Sequence, residues 1–92
     1  MMSSNLYVLL YYKFTPLKDA KFEARQHKLV CKGIGLKGRI IIGGEGINGT
    51  VAGNRAQLKE YIDYMDNHPD FNGIVFKRST APKMPFPKMI VK

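Results

Sequence analysis

The stretch Gly38-Arg39-Ile40-Ile41-Ile42-Gly43-Gly44-Glu45-Gly46-Ile47-Asn48-Gly49-Thr50-Val51-Ala52-Gly53 decides how the rest of the chain is read. It holds six of the nine glycines, four of them inside its boundary residues. Two runs rich in β-branched residues, Ile40–Ile42 and Ile47–Val51, flank Gly43-Gly44-Glu45-Gly46. β-Branched side chains favour extended backbone, and glycine supplies the dihedrals of a tight turn, so the pattern predicts a hairpin with a glycine-rich tip. A turn at Asn48-Gly49, also a type I′ signal, leaves too few residues before the next helix for a return strand. The flanks mirror one another: strand then helix before the hairpin, helix then strand after it.

Toward the N-terminus, Leu6 to Phe14 is an almost continuous apolar and aromatic run, as a central strand requires. Leu6, Val8, Leu10, Tyr12 and Phe14 share one face; Tyr7, Leu9, Tyr11 and Lys13 share the other. Pro16 ends this strand, and Met1 to Asn5 read as a frayed, disordered start. A helix follows, N-capped by Asp19, running to about Lys32 and stopped by Gly33 or Gly35. On it Lys18, Lys21, Arg25, Lys28 and Lys32 fall within a sector of roughly 80°. Ala20, His27, Val30, Cys31 and Ile34 lie broadly opposite and must face a sheet.

Toward the C-terminus, Asn54 and Gln57 form a capping box. Leu58, Tyr61, Ile62 and Met65 then recur at i, i+3, i+4 and i+7, an amphipathic helix that Pro69 ends. Phe71-Asn72-Gly73 turns the chain into a strand at Ile74 to Ser79, with Ile74 and Phe76 on one face. Three prolines mark a loop between Ser79 and Pro87, after which Met89 and Val91 alternate as if a short strand were starting. The order β-α-β-β-α-β is the split-βαβ arrangement: a four-stranded antiparallel sheet with both helices on one face and strands one and three in the middle. Residues 6–79 form the domain, and 80–92 form a Pro-rich loop leading toward whatever follows.

Ninety-two residues make one domain able to bury a modest core. One cysteine allows no internal disulfide and points to a reducing compartment. With no signal-peptide pattern and no apolar run of ~18 residues, the sequence reads as cytoplasmic, with no membrane partner. Fifteen Lys and Arg against seven Asp and Glu give a net charge of +8, which suits a polyanionic partner as well as plain solubility.

Each candidate site has a plain structural reading beside the functional one. Cys31 sits near a helix C-terminus, where the dipole opposes a thiolate, so it reads as a small buried hydrophobe. His27 and Cys31 stand at i, i+4, but two ligands do not make a zinc site, and no metal is expected. His68, before Pro69, reads as a C-terminal cap. The Gly43–Gly46 tip lacks a phosphate-loop pattern, and Glu45 repels phosphate, so its glycines serve the turn. Asn48 reads as a bulge beside Gly49 rather than a site residue. Sheet aromatics, Tyr7 with Tyr11 or Tyr12 with Phe14, offer rings for base stacking, but the third strand lacks the aromatics of an RNA-recognition motif, so a buried or covered face fits better. The basic stripe, extended by Lys37 and Arg39, is the remaining candidate. Phosphate contacts need clustering rather than a motif, and no acid interrupts the five helix cations.

Several segments resemble the N-terminal domain of the bacterial rhodanese-related tRNA uridine hydroxylases: Tyr11-Tyr12-Lys13-Phe14-Thr15-Pro16, Cys31, Gly35-Leu36-Lys37-Gly38-Arg39-Ile40, Glu45-Gly46-Ile47-Asn48-Gly49-Thr50-Val51, and Asp70-Phe71 before Phe76-Lys77. The resemblance covers nearly the whole chain; Gly44 departs from it, where a side chain is expected beside Glu45. It implies a ferredoxin-like, acylphosphatase-like fold followed by a rhodanese domain in cis that carries the reactive cysteine. It also implies oxygen-dependent hydroxylation of the tRNA wobble uridine by the whole protein. No catalytic residue carries over to this chain, Cys31 included, and no cofactor is implied for it. Glu45, Gly46, Ile47, Asn48 and Gly49 are family-motif residues of the structural hairpin. Lys18, Lys21, Arg25, Lys28, Lys32, Lys37 and Arg39 are the expected tRNA contacts. Two other readings stand beside this one: a module that packs on the rhodanese domain without touching RNA, and an acylphosphatase-like hydrolase. The hydrolase needs a phosphate-cradling loop after the first strand, where Lys13-Phe14-Thr15-Pro16-Leu17 has no glycine.

Overall fold

The computed structural model describes residues 5–92, so the expected frayed start at Met1–Asn5 lies, apart from Asn5, outside the described residues. The elements are β1 (Leu6–Phe14), α1 (Ala20–Ile34), β2 (Lys37–Gly43), β3 (Gly46–Gly53), α2 (Arg55–Asp66), β4 (Lys77–Ala81) and β5 (Met89–Val91). The sheet runs β4-β1-β3-β2-β5, with the apolar β1 and the β3 hairpin arm inside, as their composition predicts. The hairpin turns at Gly43–Gly46, and Asn48 pairs in register with Tyr12 on one side and Ile41 on the other. Asn48 is therefore a regular ladder residue, and the expectation of a bulge there is corrected.

Two further expectations change. The sheet has five strands rather than four and is mixed, because Met89–Val91 adds in parallel to the outer edge of β2. Three backbone hydrogen bonds secure this addition: Gly38 N–H to the Lys88 carbonyl (3.1 Å), Lys92 N–H to Ile40 (2.9 Å) and Ile42 N–H to Lys92 (2.8 Å). The fourth strand begins at Lys77 rather than Ile74. Ile74 and Phe76 alternate because they pack into the core on the approach, while the paired residues Lys77-Arg78-Ser79-Thr80-Ala81 are those of an edge strand.

Helix α1 starts where the Asp19 carboxylate accepts the Phe22 N–H at 3.0 Å. It passes through Gly33 and stops at Gly35, whose φ of 95° turns its N–H back onto the Cys31 and Lys32 carbonyls. Helix α2 opens on the expected capping box, Gln57 N–H to Asn54 at 2.8 Å and Asn54 N–H to Gln57 at 2.9 Å. Both helices cover the sheet face that carries Leu9, Tyr11, Ile40 and Val51, which form the core with Cys31, Leu58, Tyr61, Met65 and Phe71.

Two glycines of the hairpin are fixed by close approach. Gly46 has φ 148°, and a Cβ there would stand 2.1 Å from the Lys13 carbonyl oxygen. At Gly49 a Cβ would meet the Tyr11 hydroxyl at 2.8 Å. Leaving that space empty lets the Tyr11 ring cross β3 and hydrogen-bond Tyr61, whose hydroxyl also meets His27 Nε2 at 2.7 Å. The Tyr11–Tyr61–His27 chain thus satisfies three buried polar groups across β1, α2 and α1. Nδ1 of His27 is left without a partner.

Candidate nucleic-acid interface

The α1 stripe is solvent-facing: Lys21, Arg25, Lys28 and Lys32 are all exposed, and Lys18, which the sequence reading put on the helix, is exposed in the bend just before its N-cap Asp19. Its cations are not neutralised locally. Glu23, the acid of the first turn, points away from them to His68 at 2.9 Å, and the only other ion pair among the described residues is Lys59–Asp63. Lys21 with Arg25 and Lys28 with Lys32 are like-charge i,i+4 neighbours, each pair costing about 0.2–0.5 kcal/mol in an isolated helix. A polyanion laid along the stripe reverses that sign.

Lys37 and Arg39 do not join this stripe. In β2 they alternate with the buried Gly38 and Ile40, so they project from the sheet face opposite the helices. There Arg39 belongs to a row that runs across all five strands, Lys77–Leu10–Thr50–Arg39–Ile90. The next row is Tyr12–Asn48–Ile41. A groove of about 600 Å³ follows the two rows, with Val75 and Phe86 at its margin. A smaller one of about 360 Å³ continues past Tyr12 and Phe14 to Glu45. The basic residues thus form two surfaces, one on each side of the molecule. A third cluster escaped the sequence reading: the Arg55 and Arg78 guanidiniums lie 5.9 and 5.7 Å from the centre of the Tyr7 ring. Only the fold brings these three together.

The family-motif residues divide by role. Ile47 is buried, Gly46 and Gly49 permit close approach, Glu45 is exposed at the tip and Asn48 opens onto the grooves. The tip does not present a phosphate cradle. Its Gly44 and Glu45 carbonyls accept the Leu17 and Thr15 N–H groups, at 3.0 Å each. Those amides belong to the linker after β1, which a hydrolase of the acylphosphatase type would need free for phosphate.

The titratable core groups are built for packing. Burial pushes the Cys31 thiol up to about 12, so it stays protonated and unreactive at neutral pH. Burial, reinforced by the nearby His68, lowers His27 to about 4 and keeps it neutral. Ligand atoms of Glu23, His68 and Asp70 converge within 4.8 Å of one another. Both His68 nitrogens are engaged, Nδ1 by the Asp70 N–H at 3.0 Å and Nε2 by Glu23. His68 is therefore a tie between α1 and the loop after α2. The helix cap expected of it belongs to Asn67, whose side-chain amide donates to the Asp63 carbonyl at 2.8 Å. No helix among the described residues is long and apolar enough to cross a membrane.

Residues 6–92 match the UPF0176 acylphosphatase like domain. The chain belongs to this family. Proteins named tRNA uridine(34) hydroxylase are 46% identical over 91 residues in Streptococcus suis (strain 05ZYH33) and 43% identical over 91 residues in Lactococcus lactis subsp. lactis (strain IL1403). Each match covers 99% of this chain and 28% of the relative, so the family domain is about a quarter of those proteins and corresponds to their N-terminal domain. Among solved structures, the BLUF protein BlrB superposes with a TM-score of 0.78 at 19% identity, covering 98% of this chain and 74% of that one. HypF superposes with a TM-score of 0.61 at 11% identity, covering 96% of this chain and 12% of that one. These likenesses establish the α+β fold expected from the sequence.

Proposed function

We propose that this family domain is the tRNA-binding accessory domain of an oxygen-dependent wobble-uridine hydroxylase. It grips RNA phosphates through the α1 stripe while chemistry takes place on a rhodanese domain in cis. The observation that carries the reading is the run of exposed cations Lys21, Arg25, Lys28 and Lys32 on one face of α1, with Lys18 just before it, none of them in an ion pair among the described residues. The relatives' name supplies the substrate class. The core chemistry agrees: the lone thiol is buried and held protonated, and the linker after β1 has committed amides, so catalysis is assigned elsewhere.

Fluorescence anisotropy of labelled tRNA against salt tests this on the present chain. Neutralising several phosphates releases counterions, so the logarithm of the binding constant should fall linearly with that of salt, by about 0.7–0.9 per phosphate contacted. The triple variant K21E/R25E/K28E should weaken binding at least tenfold at low salt and flatten the slope. Unchanged binding by the triple variant refutes the stripe. No binding by the wild-type chain at low salt refutes RNA contact by this domain and leaves the packing-module reading.

A further inference from the structure

We infer that the open sheet face is a stacking platform for two or three unpaired nucleotides of an RNA strand, distinct from the phosphate-gripping helix stripe. The inference rests on the RNA-binding reading above and adds where, and to what part of RNA, the second contact is made.

Tyr12 is 68% exposed and Phe14 82% exposed, side by side on β1 with ring centres 5.7 Å apart. Flat rings left in water on an inner strand of the sheet suit ligands with flat faces, and every nucleobase has one. Next to Tyr12 in register stands Asn48, exposed on this face, whose side-chain amide has no hydrogen-bond partner among the described residues. An amide offers both a donor and an acceptor, the pairing a base edge needs. The neighbouring row carries two cations, Lys77 on β4 and Arg39 on β2, and the groove along it has no carboxylate in its lining; Glu45 lines only the smaller groove beside Phe14. Rings, a free amide and flanking cations match a nucleobase joined to a phosphate backbone better than a purely apolar protein surface, which would leave Asn48, Arg39 and Lys77 without counterparts. Duplex RNA has its bases stacked inside and cannot use the rings, so the platform selects unpaired segments.

The test compares two probes on the same chain: an unstructured ten-nucleotide oligouridine and a blunt RNA duplex. Y12L/F14L keeps the face apolar and removes its rings. It should weaken oligouridine binding at least tenfold while leaving duplex affinity and its salt slope unchanged. Y12F, which keeps a ring, should bind oligouridine as the wild type does, and N48A should weaken it by a smaller factor. Both ring positions are exposed, so melting temperatures should stay within a few degrees of wild type, and a one-residue Y12L change serves if the double variant melts early. Wild-type oligouridine affinity in Y12L/F14L and N48A overturns the platform, and the face is then assigned to a protein partner. If K21E/R25E/K28E also leaves duplex binding intact, the helix-stripe reading fails separately.

Discussion

The two faces of the sheet are drawn from the same strands and have opposite fates. On β1, Leu9 is fully buried, while Leu10 beside it is 53% exposed. On β2, Ile40 is sealed beneath α1, while Ile41 opens onto the groove. Hydrophobicity cannot separate neighbours of the same or similar composition; only the presence of helices on one side does. The helix-covered face is closed by packing and by the Tyr11–Tyr61–His27 hydrogen bonds. The open face keeps rings, the Asn48 amide and cations in contact with water.

The largest break in this comparison should come from Leu9→Ala set against Leu10→Ala. Truncating a core leucine removes about 2–5 kcal/mol, and the exposed leucine should cost about 0.5 kcal/mol or less, a gap that urea unfolding resolves. Acid should attack the covered face next. His27 is neutral in the fold down to about 4, against an ordinary 6.5. The unfolded chain therefore takes up the proton first, and stability should fall by up to about 3 kcal/mol between pH 6.5 and 4, levelling off below. His27→Gln should remove that slope if unfolding is followed at pH 7, 5.5 and 4.5. The smallest effect belongs to Tyr61→Phe, which keeps the ring but leaves the Tyr11 hydroxyl and His27 Nε2 without their shared partner. A loss of about 1–3 kcal/mol is expected, with the open face unchanged.

Local chemistry made much of the fold readable. The Asp19 and Asn54 caps, the glycine tip and the i, i+3, i+4 stripe of Leu58, Tyr61, Ile62 and Met65 each act over a few residues, and each was found where expected. What was not readable depends on contacts distant in sequence. The alternation of Met89 and Val91 marks a short strand, but its place in the sheet, parallel to the edge of β2, depends on residues some fifty positions away and carries no local signal. His68 looked like a cap because its partner Glu23 lies 45 residues away. The cations of the candidate interface were visible as a helical stripe. Proximity in sequence groups Lys37 and Arg39 with that stripe, whereas strand alternation sends them to the other face. Tyr12 and Phe14 were correctly placed on one face of β1, but which face the helices cover is set by tertiary packing.

The fifth strand has a consequence for how this protein behaves in concentrated solution. Ile40-Ile41-Ile42 is a short, uncharged, strongly β-forming segment, and on a bare edge it would be a template for a second chain. Met89–Val91 occupies that edge and closes its hydrogen-bonding groups. The opposite edge, β4, is covered by no strand among the described residues and carries the adjacent charges Lys77 and Arg78. One border of the sheet is guarded by a strand and the other by electrostatic repulsion, so growth of the sheet from molecule to molecule is opposed at both ends.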